Sequence, residues 1–241
     1  MLQEPYFSGK NEWAVILGGS SGFGWATAKL LAQERMNLCL IHRDRRQAMK
    51  DIDAKFEGLK NEGVEILSFN IDATRKDKQE WVLTVLKEKL GTTGKVKLLL
   101  HSIAKGNLKR MVQTGLKGAD YQSILENAKL TNGYTIIEEE VRKYYTEIHL
   151  TLQQKDFDIT LQNMALSLID WVNLILKLGL FASDSRVLAL TSEGGRKAWH
   201  SYAAISAAKA ALEAICRNIA LEYASHGIRC NAIQPGVTDT P

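Results

Sequence analysis

A chain of 241 residues with 45% hydrophobic and 24% charged residues carries enough apolar mass for its own core, which excludes a disordered or low-complexity chain. Its 31 Lys and Arg against 27 Asp and Glu leave a net charge of +4, too small an excess for a nucleic-acid surface. The three cysteines, Cys39, Cys216 and Cys230, are widely spaced with no C-x-x-C pair, which excludes a disulfide framework and a zinc site and points to a reducing, cytoplasmic setting with no metal.

The amino-terminal residues Met1 to Tyr6 lack the basic segment and apolar run of a signal peptide. Residues 13–17 form an apolar run ending in glycines and are followed by Ala26, Leu30 and Leu31 at helical spacing, so strand, tight turn and helix are expected. A second strand over 37–41 stops at the charged segment 42–46, and a third covers 64–69. The amphipathic helix 78–90 leads to a fourth strand over 96–101. Strands over 187–191 and 228–233 are separated by an alanine-rich helix from Tyr202 to Tyr223. The most apolar stretch, 164–182, holds Asp170, Asn173 and Lys177, which are costly in a bilayer, so a buried helix is expected there and no membrane span. Trp81 and Trp171 fall on helical apolar stripes and are expected in the core.

Apolar strands alternating with helices predict an α/β fold, a doubly wound parallel sheet with helices on both faces in a single domain over residues 1–241. Residues 106–156 break that rhythm, because α/β connections are short. This excursion carries Gly106, Gly115, Gly118, Gly133 and a charged helix candidate over 136–145, and reads either as a lid or partner surface or as a solvated helical detour.

Gly18, Gly19, Ser20, Ser21, Gly22, Phe23 and Gly24 lie between the first strand and first helix, where backbone N–H groups at a helix amino terminus can face a pyrophosphate. With its G-x-x-x-G-x-G spacing the turn resembles that of the short-chain dehydrogenase/reductase family, T-G-x-x-x-G-x-G, with Leu17 in place of threonine. That resemblance implies a Rossmann-type fold and a nicotinamide cofactor. Asp72 and Ala73 resemble the family's adenine-binding acid and its neighbour. His101, Ser102, Ile103 and Ala104 occupy the place of its N-A-G segment, and Pro235, Gly236, Val237 and Thr240 that of the P-G turn over the nicotinamide. Thr191 is a further implied cofactor contact. After the second strand, His42 stands where an acid recognises the ribose of NAD, and Arg43 follows it, with Arg45 and Arg46 nearby. A guanidinium suits a 2′-phosphate, so NADPH is expected; Asp44 keeps NADH open as the alternative.

The family's usual Y-x-x-x-K is absent, since Ile205 stands four residues before Lys209. Tyr202 and Lys209 instead show a Y-x6-K spacing; seven residues at about 100° each return to nearly the same helical face. This spacing, the segment from His101 to Ala104 and the segment from Lys209 to Glu213 resemble the enoyl-acyl carrier protein reductases. The resemblance implies hydride transfer to the β-carbon of an enoyl thioester in fatty acid synthesis, with Tyr202 hydrogen-bonding the enolate oxygen and Lys209 holding the nicotinamide ribose. Ser192 stands ten residues before Tyr202, where that branch often has a second tyrosine, and seventeen before Lys209, where the carbonyl-reducing branch keeps a catalytic serine. A carbonyl reductase is therefore the alternative, and a cofactor-binding protein without catalysis a third reading, which the retention of both Tyr202 and Lys209 argues against. Asn163 is a candidate for the family's relay asparagine, and His101 is expected to be packed and hydrogen-bonded. The resemblance further implies a small-molecule or carrier-linked acyl substrate and a homodimer or homotetramer built on the helices over 157–180 and 202–224. The chain stops at Pro241, where family members continue with a substrate-covering loop and a last strand, so a truncated carboxyl end is expected.

Overall fold

Five consecutive buried residues after Glu12 mark the first strand, β1 (Glu12–Leu17), and the second, β2 (Asn37–His42), repeats the pattern. A strand buried on both faces does not alternate, and that is the signature of the middle of a parallel sheet covered on both sides. The computed structural model describes residues 4–112, 151–236 and 238. In it β3 (Ile66–Asn70), β4 (Lys95–His101), β5 (Phe181–Leu190) and β6 (Ile228–Ile233) complete a six-stranded sheet in the order β3-β2-β1-β4-β5-β6, every neighbouring pair parallel.

Two helical layers cover it. Helices α1 (Gly22–Gln33) and α2 (Met49–Lys60) place Ala28, Ala32, Ile52 and Phe56 on one face, against Ile16, Leu38 and Leu40. On the other face α3 (Lys76–Leu90), α5 (Ser167–Lys177) and α6 (Ala203–Glu222) bring Leu86, Leu168 and Leu212 onto Val15, Leu99 and Val187. This is the doubly wound single domain expected from the sequence. Helix α4 (Gln154–Leu161) runs into α5 through a π-helical turn, Gln162–Leu166. The 24 residues Gln154–Lys177 are long and apolar enough to cross a membrane, yet Leu168, Trp171, Val172 and Ile175 are fully buried against the sheet.

Several expectations need correction. β5 begins at Phe181 rather than near 187, because Asp184 and Arg186 interrupt its apolar run; their side chains pair with each other at 2.6 Å. Helix α2 carried no signal in the apolar pattern beyond Ile52, Phe56 and Leu59, one turn apart on its buried side. Trp171 is fully buried and its Nε1–H donates to the Ala73 carbonyl at 2.9 Å, but Trp81 is 49% exposed and only leans edge-on against Phe69.

The greater part of the excursion, including Gly115, Gly118, Gly133 and the helix candidate over 136–145, lies outside the described residues. Its neck is described. Arg110 and Thr151 form a parallel bridge, the Leu152 N–H donates to the Arg110 carbonyl at 2.7 Å, and Lys109 Nζ and Asn107 Nδ2 each donate to the Asp156 carboxylate at 2.9 Å. Departing and returning strands of chain are thus tied together beside α4.

Replacing the fully buried Leu168 by alanine leaves a cavity between α5 and the sheet. Urea denaturation is expected to show a loss of about 2–5 kcal/mol.

Candidate active site

In an open parallel sheet the crevice opens where strand order reverses, beyond the carboxyl ends of the strands. Here β1 is followed in sequence by β2 on one side and flanked by β4 on the other, so the reversal lies between β1 and β4. Three backbone bonds fix its floor. The Gly18 and Gly19 N–H groups donate to the Ile41 carbonyl at 2.8 and 3.0 Å, and the Ser102 N–H donates to the Leu17 carbonyl at 2.8 Å. Gly18 has φ +89°, and a Cβ there would stand 2.6 Å from the Ser102 carbonyl oxygen. A side chain is excluded on both grounds.

A cleft of about 690 Å³ rises from this floor, a volume suited to a bound small molecule. Gly18, Ser20, Ser21, Gly22 and Phe23 line it, with the amino end of α1 facing in. Gly24 does not. A Cβ on Gly24 would lie 2.0 Å from the Gly18 carbonyl oxygen, so this glycine lets α1 pack onto the turn rather than meeting a ligand. Asp72, Ala73, Ser102, Ile103, Ala104, Thr191, Pro235 and Gly236 line the cleft as the sequence suggested, and Thr238 joins them. Val237 and Thr240 lie outside the described residues.

At one end of the cleft the Arg43 guanidinium donates to Asp72 Oδ2 at 2.7 Å, while Asp72 Oδ1 accepts from the Thr74 hydroxyl at 2.6 Å and the Thr74 N–H at 3.0 Å. Partial burial opposes ionisation of Asp72, but these hydrogen bonds and the charges of Arg43 and Lys105 outweigh it and hold the carboxyl below its usual range. Asp44 also borders the cleft, yet its carboxylate is taken up by His42 Nδ1 at 2.8 Å. Arg45 and Arg46 are exposed on the turn that follows and do not line the cleft, contrary to the expectation that they add charge within reach.

At the other end α6 presents Lys209, only 6% exposed, whose Nζ donates to the Leu190 carbonyl at 2.6 Å. Burial pushes its ammonium down to about 8. Tyr202 is not on the helix. It is the residue capping α6, with φ −104° and ψ 2°, preceded by Ser201 at φ +64°. Both side chains nevertheless line the cleft, because the capping residue still projects over its rim. The Tyr202 hydroxyl lies 3.2 Å from Ser192 Oγ, which accepts the Gly194 N–H at 3.1 Å, and Trp199 stacks edge-on against the phenol ring. A Cβ on Gly194 would fall 2.2 Å from the phenol ring, so this glycine makes room for Tyr202.

Asn163 lies in the π-helical turn and lines the cleft, its Nδ2 donating to the Ile159 carbonyl at 2.8 Å. Turns of this kind inside helices recur at functional sites. The Ser167 hydroxyl donates to the Asn163 carbonyl at 2.9 Å and so accepts from His101 Nε2–H, also at 2.9 Å. Burial first, and then the charge of Lys209, lowers the His101 imidazole to about 3, so it is neutral and packed as expected, not a proton donor. Lys105, Leu108, Met164 and Ile205 also line the cleft and carried no signal of their own in the sequence. Only position marked two of them: Lys105 follows Ala104, and Ile205 stands one turn before Lys209. Among the described residues no group of three or more His, Cys, Asp or Glu side chains is gathered as a metal would require.

Two family models match the chain, one described as short chain dehydrogenase over residues 12–118 and one as Enoyl-(Acyl carrier protein) reductase over residues 141–241. Together with the sheet order and the glycine turn they identify it: the chain belongs to the short-chain dehydrogenase/reductase family of nicotinamide-dependent oxidoreductases. It is 25% identical to glycine betaine reductase ATRR of Emericella nidulans over 94% of its own length, spanning 14% of that protein. It is 38% identical over 61 residues to 1-cyclohexenylcarbonyl-CoA reductase of Streptomyces collinus, a match covering 25% of this chain and 22% of that protein. A dehydrogenase/reductase from Sinorhizobium meliloti shares its fold, with a TM-score of 0.71 at 19% identity over 98% of this chain and 76% of the other.

The depressed Lys209 has a signed consequence. Between pH 8 and the ordinary lysine value of 10.5 the unfolded chain binds the proton that the folded chain has lost, so stability rises with pH across that window. Thermal melts of Lys209→Met are expected to lack this rise, while cofactor affinity of the unmodified protein weakens as the pH climbs through about 8.

Proposed function

We propose that the protein reduces the carbon–carbon double bond of an enoyl thioester with NADPH. The observation that carries this reading is the displacement of the phenol: Tyr202 lies seven residues before Lys209 with its hydroxyl on Ser192, and the apolar Ile205 fills the place one turn before the lysine. In a ketone, the carbon that takes the hydride is bonded to the oxygen that needs a proton. In an enoyl thioester that oxygen is three bonds away from the β-carbon. A donor reaching it must stand farther from the nicotinamide, and the six helical steps from Ala203 to Lys209 alone rise about 9 Å against about 6 Å for four. The match to a protein named 1-cyclohexenylcarbonyl-CoA reductase and the description of the model matched by residues 141–241 support the same reading.

The cleft residues fit the cofactor: the site at Gly18 that a Cβ would fill, the amino end of α1 and the cleft volume suit a dinucleotide pyrophosphate. When bound, NADPH supplies the hydride to the β-carbon. Lys209 then holds the nicotinamide ribose and keeps the site electropositive, its one visible bond to Leu190 leaving two ammonium protons for ribose oxygens. Tyr202 and Ser192 donate to the thioester oxygen as negative charge builds on it, and Tyr202 provides the proton. Ile205, Met164 and Leu108 give the acyl group an apolar wall. Arg43 supports NADPH over NADH. It lines the cleft with its side chain 56% exposed, whereas the Asp44 carboxylate that would favour NADH is held by His42.

This reading takes the substrate as small or carrier-linked and the enzyme as a cytoplasmic homodimer or homotetramer, acting on neither nucleic acid nor membrane. Three free, buried thiols support the reducing setting. A second reading, reduction of a 3-oxoacyl or other ketone, is favoured by one observation, the Ser192–Tyr202 pair that would polarise a carbonyl.

The test is NADPH oxidation at 340 nm with crotonyl and, separately, acetoacetyl thioester. Oxidation is expected with the crotonyl compound, reduced at least about 100-fold in Tyr202→Phe. Arg43→Ala is expected to lower the preference for NADPH over NADH about tenfold or more. Oxidation with the acetoacetyl compound alone overturns the enoyl assignment.

A further inference from the structure

Behind the donor pair of the site lies a charge that does not line the cleft. Glu213 sits on α6 one turn beyond Lys209 and is only 8% exposed. Its Oε1 accepts the Thr191 hydroxyl at 2.9 Å and its Oε2 accepts Arg196 Nη2 at 3.1 Å. Burial opposes its ionisation, but these two donors outweigh it and hold the carboxyl below its usual range, so it is charged at neutral pH.

Thr191 and Arg196 flank the segment that carries Ser192 and Gly194, in the first half of the connection from β5 to α6. Within that loop the Gly195 N–H donates to the Ser192 carbonyl at 3.0 Å, and the Arg196 N–H to the Glu193 carbonyl at 3.0 Å. Helix α6 therefore grips the last residue of β5, Leu190, through Lys209 and the segment beyond it at Thr191 and Arg196 through Glu213. Ser192 lies between those grips, and Gly194 lies under the Tyr202 ring. A buried carboxylate with two partners is costly to place and strongly directional once placed.

We propose that Glu213 is the positioning residue of the reaction: by clamping both ends of the Thr191–Arg196 loop onto α6 it sets Ser192 Oγ against the Tyr202 hydroxyl. The inference rests on that pair being the proton-donating pair and is indifferent to whether the substrate is an enoyl thioester or a ketone. Glu213→Ala frees the loop, and Glu213→Gln keeps one acceptor oxygen for Thr191. Thr191→Val removes the same anchor from the other end without changing side-chain shape.

The experiment measures kcat and the KM for NADPH of these variants, of Ser192→Ala and of the Glu213→Ala/Ser192→Ala double variant, on whichever thioester the unmodified enzyme turns over. Glu213→Ala is expected to lose about tenfold or more in kcat with the KM for NADPH unchanged, since small misplacements of a reacting group are costly. Glu213→Gln is expected to recover most of that loss. With Ser192 already removed, deleting Glu213 is expected to cost less than about twofold, because nothing is left to position. If Glu213→Ala fails to fold, Thr191→Val takes its place in the cycle with the same expectations for kcat alone, since Thr191 itself lines the cleft. A full loss that persists in the Ser192→Ala background, or a loss carried by the KM for NADPH, overturns the proposal. Turnover of the ketone alone would sink the enoyl reading and leave this test standing. Were neither substrate turned over, a crystal structure of Glu213→Ala decides: a Ser192–Tyr202 separation beyond hydrogen-bond reach is expected, and one still near 3.2 Å overturns the proposal.

Discussion

The interaction on which the site depends is the bond from the Lys209 ammonium to the Leu190 carbonyl. An ammonium that is 6% exposed is unfavourable unless it finds acceptors, and burial here draws it down to about 8. The last residue of a strand is where such an acceptor is available, because the ladder stops there and its carbonyl no longer needs a neighbouring strand. Docking α6 against the end of β5 therefore satisfies the lysine and at the same time brings Ser192, two residues past the strand, in front of the capping residue Tyr202. The placement of this charge joins α6 to the end of β5, the junction on which the hydroxyl pair is built.

Opposite that pair, the cleft owes its shape to backbone approaching backbone. Gly18 lies so close to Ser102, and Gly24 to Gly18, that no side chain fits between them. The turn after β1, the segment after β4 and the start of α1 thereby form one continuous floor. Both ends of the cleft carry positive charge near its rim, Arg43 and Lys105 at one and Lys209 at the other, with Asp72 held ionised by the first two and by Thr74.

Much of this was legible in the chain itself, since a parallel sheet buried on both faces leaves uninterrupted apolar runs. Residues 13–17 and 37–41 show such runs and fall in strands, while 228–233, interrupted by Arg229 and Asn231, forms the edge strand β6. The glycine turn was found by its spacing, Tyr202 and Lys209 by spacing and resemblance, and Asp72 and Ser192 by resemblance; apart from Gly19 and Gly24 all of them line the cleft. What local pattern missed is what tertiary contact decides. β5 starts early because the Asp184–Arg186 pair neutralises residues that looked like a break. Trp81 shares its helical stripe with core residues but falls at the margin of α3, half in water. Periodicity put Tyr202 inside the helix, whereas the helix begins one residue later, at Ala203, with Tyr202 as its cap after the left-handed Ser201. Gly24 and Arg45 belong to motifs whose text says nothing of direction, and one turns to packing, the other to solvent. Glu213 was marked only as the last residue of the segment that begins at Lys209, with no role of its own, because its partners are twenty-two and seventeen residues away.

The most direct test of this arrangement is a crystal structure with NADP⁺ bound. The pyrophosphate is expected over Gly18 to Phe23, the 2′-phosphate on Arg43, and Lys209 Nζ within about 3 Å of a ribose hydroxyl of the nicotinamide. Tyr202 and Ser192 are expected to face the nicotinamide ring with their hydroxyls still paired. A cofactor lying elsewhere on the molecule, or one bound in this cleft with Lys209 and Tyr202 both turned away from it, would contradict the reading of α6 as the element that builds the site.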